Sequence, residues 1–218
     1  MDTIIQTLAI YAIPVIFAIT LHEAAHGYVA RHFGDPTAWQ AGRITLNPIK
    51  HIDPIGTILV PILILLASKA AGAGILFGWA KPVPVDFGRL RRPKQDMLWV
   101  AAAGPAANLL MALGWALLLK LAILMPENDY RQPLGEMARI GISINTVLML
   151  LNLLPLPPLD GGRIAVSLLP MPMAVKFARL EPYGFPILLL LLFTGLLDFW
   201  LLPLMGIFLS LIRAVFAF

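Results

Sequence analysis

The sequence predicts an all-α polytopic membrane protein, with about five to six transmembrane or re-entrant helices and one short extended or β segment. Of its 218 residues, 59% are hydrophobic and only 13% are charged, and the mean hydropathy is +0.84. A soluble domain has roughly 45–50% apolar and about 25% charged residues. The length suits one folding unit, so we expect residues 1–218 to form a single integral-membrane domain.

The amino-acid composition excludes several kinds of chemistry. The chain has no cysteine, which removes disulfides, thiol nucleophiles and thiolate metal sites, so any metal must be held by nitrogen and oxygen atoms. Its net charge of +4 comes with basic residues in short stretches between apolar runs, where they set membrane topology. We therefore expect the lipid bilayer as its surroundings and no nucleic-acid partner.

The first part of the chain predicts one clear span followed by irregular sequence. Residues 4–33 are long and apolar enough to cross a bilayer core, which needs ~20 helical residues. A loop rich in Gly, Pro, Asn and Asp follows at 34–54. Residues 55–77 are apolar but interrupted by Pro61, and we expect them to enter the membrane and return. A full crossing would place the basic loop at 89–94 outside, against the positive-inside rule.

Residues 78–85 are unsuited to a helix because proline occupies alternate positions, Pro82 and Pro84. This pattern is typical of an extended edge strand, since proline cannot donate to a ladder on both edges. The alternative is that the segment only covers one end of the helical bundle.

The second part of the chain predicts further apolar helices. Residues 97–125 form a strong span, and residues 140–154 form a helix that breaks at the prolines after it. A short segment follows at 160–170. Residues 186–218 are long enough for two short antiparallel spans that turn near Asp198, or for one overlong span.

Charge asymmetry between the loops predicts the orientation. Basic residues lie in the loops at 34–54 and 89–94 and again at 163–179, whereas the loop at 126–136 is mainly acidic. Under the positive-inside rule the basic loops are cytoplasmic and the acidic loop is outside. We expect the plasma (inner) membrane, with the chemically active side toward the cytoplasm.

The first span contains a pattern of ionisable residues, His22-Glu23-Ala24-Ala25-His26. Two histidines four residues apart lie about 40° apart around a helix, so both imidazoles can reach one ion. Glu23 projects near the same side and can hold a water there, as in H-E-x-x-H zinc hydrolases. The alternative is a buried polar cluster that hydrogen-bonds neighbouring helices, or a pair at the water interface.

Two histidines do not complete a catalytic zinc site, which usually has three protein ligands. Asp160 is the candidate for the third, because it follows the proline-interrupted end of a span, where a broken helix can turn a side chain toward a cavity. Its alternative is an Asx cap in an ordinary turn. His51 lies beside Asp53 in a loop, where a local hydrogen bond competes with a role near the metal.

Three segments in this order resemble the site-2 proteases, a family of intramembrane zinc metalloproteases, over most of the chain. They are His22-Glu23-Ala24-Ala25-His26, Gly104-Pro105-Ala106-Ala107-Asn108 and Asn152-Leu153-Leu154-Pro155-Leu156-Pro157-Pro158-Leu159-Asp160-Gly161. No insertion between the spans is long enough for the PDZ domain of larger members. We therefore expect the minimal form of the family, without a PDZ domain.

The resemblance implies a role for each matching residue. His22, His26 and Asp160 would bind Zn2+, and Glu23 would activate the attacking water as general base. Asn152 would help to hold the substrate or its oxyanion. The implied reaction is hydrolysis of peptide bonds in or near transmembrane segments of membrane-protein substrates, by a zinc metalloendopeptidase.

The sequence leaves the roles of Asn145 and of the extended stretch 79–85 to be settled by the structure. Asn145 lies seven residues before Asn152 and thus on the same helix face, where it either assists the reaction or makes an interhelical hydrogen bond. We expect the extended stretch 79–85 to lie near the active site and to pair with an unwound substrate by strand addition.

The rival hypothesis is a non-catalytic membrane protein that uses the same His and Asp residues for metal-ion transport or for binding transmembrane helices. Glu23 distinguishes the two hypotheses. A carrier would use it as a metal ligand, whereas a hydrolase needs it free for the water.

Overall fold

The computed structural model describes residues 2–70 and 78–218, which form α-helices and no β-strand. The helices are α1 Asp2–His32, α2 Thr37–Gln40, α3 Val60–Ala70, α4 Pro93–Leu124, α5 Arg131–Asn152, α6 Asp160–Leu168, α7 Met171–Ala178, α8 Glu181–Phe193 and α9 Leu196–Phe216. Short 3-10 helices lie at Pro48–His51 and Phe87–Arg89, and a π-helical turn lies at Pro54–Leu59. The predicted all-α fold is confirmed.

Four helices are long and apolar enough to cross a membrane: Ala9–His32 within α1, and α4, α5 and α9. Two shorter apolar helices lie at Pro54–Ile64 and Glu181–Phe193. Long helices satisfy all their interior backbone groups internally, as the hydrocarbon core requires. The chain is therefore an integral membrane protein, and its helices agree with the predicted five to six transmembrane or re-entrant segments.

Helices α1, α4 and α5 pack against one another and form the centre of the fold. Small residues permit this close packing: Ala112 and Ala116 of α4 and Ala138 of α5 have no exposed surface. In lipid, helix association depends on such close packing, because the lipid chains are as apolar as the side chains. Gly141 of α5 lies directly against the Trp115 ring, where an added Cβ would be 2.6 Å from Cε2.

The two ends of the segment that contains α3 lie against each other, at residues 56–57 and at Trp79. The Trp79 amide donates to the Gly56 carbonyl at 3.0 Å, and the Thr57 hydroxyl donates to the Trp79 carbonyl at 2.8 Å. These contacts agree at both ends with the expected entry and return of residues 55–77. Residues 71–77 themselves lie outside the described residues.

The extended stretch that follows, residues 78–86, has no helix and pairs with no strand in the described ranges. The predicted extended path is thus present, and no β-ladder forms on it among the described residues. Its backbone is held instead by loop carbonyls and by side chains of α1 and the loop after it, as described below.

Two helices, and not one overlong span, form the carboxyl-terminal part of the chain. Helices α8 and α9 pack against each other and are joined at Thr194 and Gly195. Gly195 has φ +72°, a left-handed conformation that glycine adopts without steric cost. Asp198 lies in the first turn of α9, immediately after the connection and not within it.

Replacing Gly141 by Ala is expected to destabilise the fold, because the new methyl overlaps the Trp115 ring in the core. Overpacking of this kind costs about 1–3 kcal/mol. Gly206→Ala is the matched control, since an added Cβ there meets nothing within 4 Å. Thermal unfolding in detergent should show a lower Tm for Gly141→Ala alone. Equal Tm values for both variants would contradict the described packing of α4 on α5.

Candidate metal centre

Helix α1 places two imidazoles side by side in the protein interior. His22 and His26 are 7% and 9% exposed, and their Nε2 atoms are 3.1 Å apart. The rings meet edge to face, with centroids 4.7 Å apart. The spacing of four residues on a helix thus aims both side chains at one point, as the pattern predicted.

Asp160 completes the cluster from the other end of the chain. Its Oδ2 lies 3.2 Å from His22 Nε2 and 3.3 Å from His26 Nε2. One donor atom from each of the three residues lies within 4.8 Å of the others, and no other His, Asp or Glu of the described chain joins this group. The three sequence-predicted metal ligands are therefore brought together.

The proline-rich loop before α6 explains how Asp160 reaches this point. Helix α5 ends at Asn152, and α6 begins at Asp160, with Leu159 as its N-cap. Gly161 and Gly162 pack on this loop so closely that a Cβ on Gly162 would be 2.5 Å from the Leu156 carbonyl carbon. Asp160 is thus the first residue of a helix, and its side chain makes no Asx cap.

The electrostatics of the cluster fit a bound cation. The Asp160 Oδ2 is buried, and within the described residues it has no hydrogen-bond partner. Each histidine directs Nδ1 to an oxygen outside the cluster, His22 to Asn108 Oδ1 at 2.6 Å and His26 to the Val100 carbonyl at 2.7 Å. With the ring proton of each histidine on Nδ1, three acceptor atoms converge, and a bound cation would relieve their mutual repulsion.

Helix α4 passes the cluster at Gly104. An added Cβ there would lie 2.6 Å from His22 Nε2 and overlap His26 Nε2 as well. Only glycine leaves room for both nitrogens and a metal ion. The sequence marked Gly104 as part of a family segment without assigning it a role, because the contact depends on how α4 packs on α1.

Glu23 lies beside the cluster but outside it. Its side chain is half-buried, and its Oε2 accepts a hydrogen bond of 2.7 Å from the Val83 amide. The carboxylate therefore contacts the extended stretch 78–86, which agrees with the expected position of that stretch near the active site. The hydrogen bond between Glu23 and Val83 was not itself predicted.

The same stretch is fixed at several other points. Its Lys81 amide donates to the His51 carbonyl at 2.9 Å, and the Lys81 carbonyl accepts from Arg43 at 2.8 Å. Its Asp86 amide donates to Asp35 Oδ2 at 2.7 Å. Asp35 has no exposed surface, so a buried carboxylate at the end of α1 anchors the stretch next to Glu23.

The other residues that the sequence singled out do not belong to the donor group. Asn152 is half-buried at the end of α5, and its Nδ2 donates to Leu148 of its own helix at 3.0 Å. Asn145 makes the interhelical hydrogen bond that was one of its two expected roles, to Asn108 at 2.9 Å. His51 is buried and bonds the nearby Thr45 carbonyl at 3.0 Å, so it makes a local contact and does not belong to the donor group.

These features define a class: an integral membrane protein with a buried group of two histidines and one aspartate suited to a divalent metal. The chain is 42% identical over 197 residues to "Putative zinc metalloprotease YwhC" of Bacillus subtilis, across 89% of this chain and 84% of that protein. It is 32% identical over 186 residues to "Putative zinc metalloprotease Rip2" of Mycolicibacterium smegmatis, across 85% of this chain and 67% of that protein.

A protein of the same name in Mycobacterium tuberculosis is 31% identical over 150 residues, which are 67% of this chain and 52% of that protein. No family model and no solved structure matches the chain. The extent of the first two likenesses shows that the chain belongs to this family of metalloproteases, the site-2 protease family.

Substitution of Gly104 by Ala is expected to abolish stoichiometric metal binding, because the methyl occupies the space between the two Nε2 atoms. Gly114→Ala on the same helix is the control, since a Cβ there meets nothing within 4 Å. Metal content per chain, measured by atomic emission on protein purified in detergent, checks this. Full metal content in Gly104→Ala would show that the cluster does not hold the ion.

Proposed function

We propose that this protein is an intramembrane zinc metalloendopeptidase that cleaves peptide bonds in or near transmembrane segments of membrane-protein substrates. The observation that carries the proposal is the convergence of His22 Nε2, His26 Nε2 and Asp160 Oδ2 inside a membrane-spanning bundle. Buried ionisable groups are costly there and are retained where they are paired or functional. The likeness to named zinc metalloproteases supports the same reaction class.

The proposed metal ligands are His22, His26 and Asp160. Three ligands from the protein match the number in catalytic zinc sites, which keep a fourth position open. Bound zinc supplies a Lewis acid that lowers the pKa of a water molecule and polarises a carbonyl group. The two histidines and the aspartate would hold this charge among buried side chains.

Glu23 is proposed as the general base. One of its oxygens is occupied by the Val83 amide, which fixes the carboxylate and leaves the other oxygen for proton transfer. It takes the proton of the attacking water and passes it to the amine of the leaving strand. Its position outside the donor group supports this role over the rival carrier hypothesis, which needs Glu23 as a ligand.

Asn152 is proposed to hold the substrate carbonyl as its oxygen becomes negative. One N–H of its amide donates to the Leu148 carbonyl, and the second, which has no partner among the described residues, would donate to the substrate. A positioned amide donor of this kind contributes to catalysis because it meets charge that develops only in the transition state.

The extended stretch 79–85 is proposed to present the substrate. Alternate residues of an extended chain face opposite edges, and the amides of residues 79, 81 and 83 all donate to the protein itself. The outer edge belongs to residues 80, 82 and 84, of which Pro82 and Pro84 have no N–H, so it offers mainly carbonyl acceptors. The Pro82 carbonyl also lies 3.4 Å from the Arg43 guanidinium. An unwound substrate would pair there by donating its own amides, in the manner of strand addition.

The proposed location is the plasma (inner) membrane, with the metal centre opening toward the cytoplasm. The basis is the charge of the loops: the loop at 89–94 is basic, and the loop between α4 and α5 is acidic. Accessibility of single cysteines introduced into these two loops, in intact cells, distinguishes this orientation from its inverse.

Glu23→Gln is expected to keep zinc and lose cleavage, whereas His22→Ala and Asp160→Ala lose both. Glutamine preserves size and the acceptor for the Val83 amide but cannot take a proton, and removal of a general base costs about 10²–10⁴ in rate. The measurements are zinc per chain and cleavage of a generic transmembrane-helix substrate, on the same detergent preparations.

Two results would contradict the proposal. Loss of zinc in Glu23→Gln would make Glu23 a ligand and favour the carrier hypothesis. Unchanged cleavage in Asp160→Ala would remove the aspartate from the reaction.

Asn152→Ala should lower kcat by roughly 10²–10³ with zinc content unchanged, if its amide serves the developing oxyanion. The matched control is Asn128→Ala, because Asn128 caps an exposed loop between α4 and α5. Steady-state kinetics on both variants separate kcat from KM. A change in KM alone would assign Asn152 to substrate binding, and no change in either would exclude it from the site.

A further inference from the structure

Two buried asparagines connect His22 to the main chain of helix α5. Neither Asn108 nor Asn145 has any exposed surface. Asn108 Oδ1 lies 2.6 Å from His22 Nδ1, and Asn108 Nδ2 lies 2.9 Å from Asn145 Oδ1. Asn145 Nδ2 in turn lies 2.8 Å from the Gly141 carbonyl oxygen. An unbroken line of hydrogen bonds therefore runs from α1 through α4 to α5.

The direction of every bond in this line is determined by its last member. A main-chain carbonyl can only accept, so Asn145 must turn its Nδ2 to Gly141 and leave its Oδ1 facing Asn108. Asn108 must meet that oxygen with Nδ2, which also lies 3.2 Å from a second acceptor, the Ala18 carbonyl. Asn108 is left with only an acceptor for His22, and the His22 Nδ1 must consequently carry the proton.

We propose that Asn108 and Asn145 are positioning residues that hold His22 in the Nδ1-protonated tautomer, with the Nε2 lone pair aimed at the metal. This inference rests on the proposed function, in which His22 Nε2 binds zinc. His26 reaches the same state by a shorter route, because its Nδ1 faces the Val100 carbonyl directly. We call the hydrogen-bonded pair Asn108 and Asn145 the relay. The relay at His22 and the Val100 carbonyl at His26 thus give both histidines the same tautomer.

Asn108 is the member of the relay whose loss matters most. Partners that orient a metal-bound histidine typically contribute 10–100-fold to metal affinity. Asn145 orients Asn108, but the Ala18 carbonyl also holds the Asn108 amide in place. Loss of Asn145 should therefore weaken zinc binding less than loss of Asn108.

The choice of variants separates positioning from simple packing. Asn108→Leu has similar size but no acceptor for His22, and its zinc affinity should fall by about 10–100-fold. Asn108→Asp keeps an acceptor at His22 but sets a carboxylate oxygen against Asn145 Oδ1 and the Ala18 carbonyl. It should lower the Tm of the metal-free protein while zinc affinity stays close to that of the wild type.

Thr146→Val is the matched control for the loss of a buried hydrogen bond. Thr146 is adjacent to Asn145 on α5 and has no exposed surface. Within the described residues its hydroxyl bonds only the Ile142 carbonyl of its own helix, at 2.7 Å. Its replacement should change the Tm slightly and leave zinc affinity unchanged.

The experiment measures zinc affinity by chelator competition, and the rise in Tm on adding zinc, for the full chain in detergent. If the relay is correct, zinc affinity is highest in the wild type, Asn108→Asp and Thr146→Val. It is lower in Asn145→Leu and lowest in Asn108→Leu. A merely structural role predicts instead that zinc affinity falls in step with the metal-free Tm, so that Asn108→Asp binds weakly. That outcome, or wild-type affinity in Asn108→Leu, would overturn the inference.

If Asn108→Leu does not fold, the comparison of Asn145→Leu with Asn108→Asp decides the question. Wild-type affinity in Asn145→Leu, or weaker binding by Asn108→Asp than by Asn145→Leu, would overturn the relay. The proposed function can fail separately from the relay. Absence of zinc from the wild-type protein, or full zinc content in His22→Ala, would overturn both proposals. If the wild type binds zinc and the asparagine variants bind it equally well, only the relay is overturned.

Discussion

Three acceptor atoms face one another inside a bundle of membrane helices, and the rest of the structure is arranged around that constraint. His22 Nε2, His26 Nε2 and Asp160 Oδ2 lie 3.1 to 3.3 Å apart, where their lone pairs repel unless a cation lies between them. Inside a bilayer such a cluster is stable only if its charge and lone pairs have a partner, because no bulk water solvates them. The packing of α1, α4 and α5 therefore has to leave a site for a metal ion.

Each neighbouring element contributes one requirement of that site. Gly104 lets α4 approach both imidazoles, and the glycine pair after Asp160 lets α6 begin directly on the proline-rich loop. The stretch 78–86 contacts Glu23 through the Val83 amide and is anchored at Asp35, so a direct hydrogen bond joins the proposed base to the proposed substrate-binding edge. The proposed reaction needs the two adjacent, because the general base must lie within reach of the bond it helps to cleave.

Much of this could be predicted from the sequence, and what could not has a physical reason. The spacing of His22 and His26 fixes their common face through helical geometry alone, and the prolines before Asp160 indicate a broken helix. The position of Asp160 after these prolines made it the candidate third ligand, and the family resemblance implied the same role. The contact of Glu23 with Val83, the role of Gly104 and the relay through Asn108 depend on how helices pack, which local patterns do not encode. The division of residues 186–218 was ambiguous because Gly195 turns the chain inside an unbroken apolar run.

X-ray absorption at the zinc edge of the wild-type protein tests the central claim most directly. The account predicts a first shell of nitrogen and oxygen only, with two imidazoles at about 2.0–2.1 Å, one carboxylate oxygen, and one further position that solvent can occupy. A shell with one or three imidazoles, or with a second carboxylate in the position assigned to solvent, would contradict it. The first result would break the His22, His26 and Asp160 set, and the second would make Glu23 a ligand and remove the proposed base.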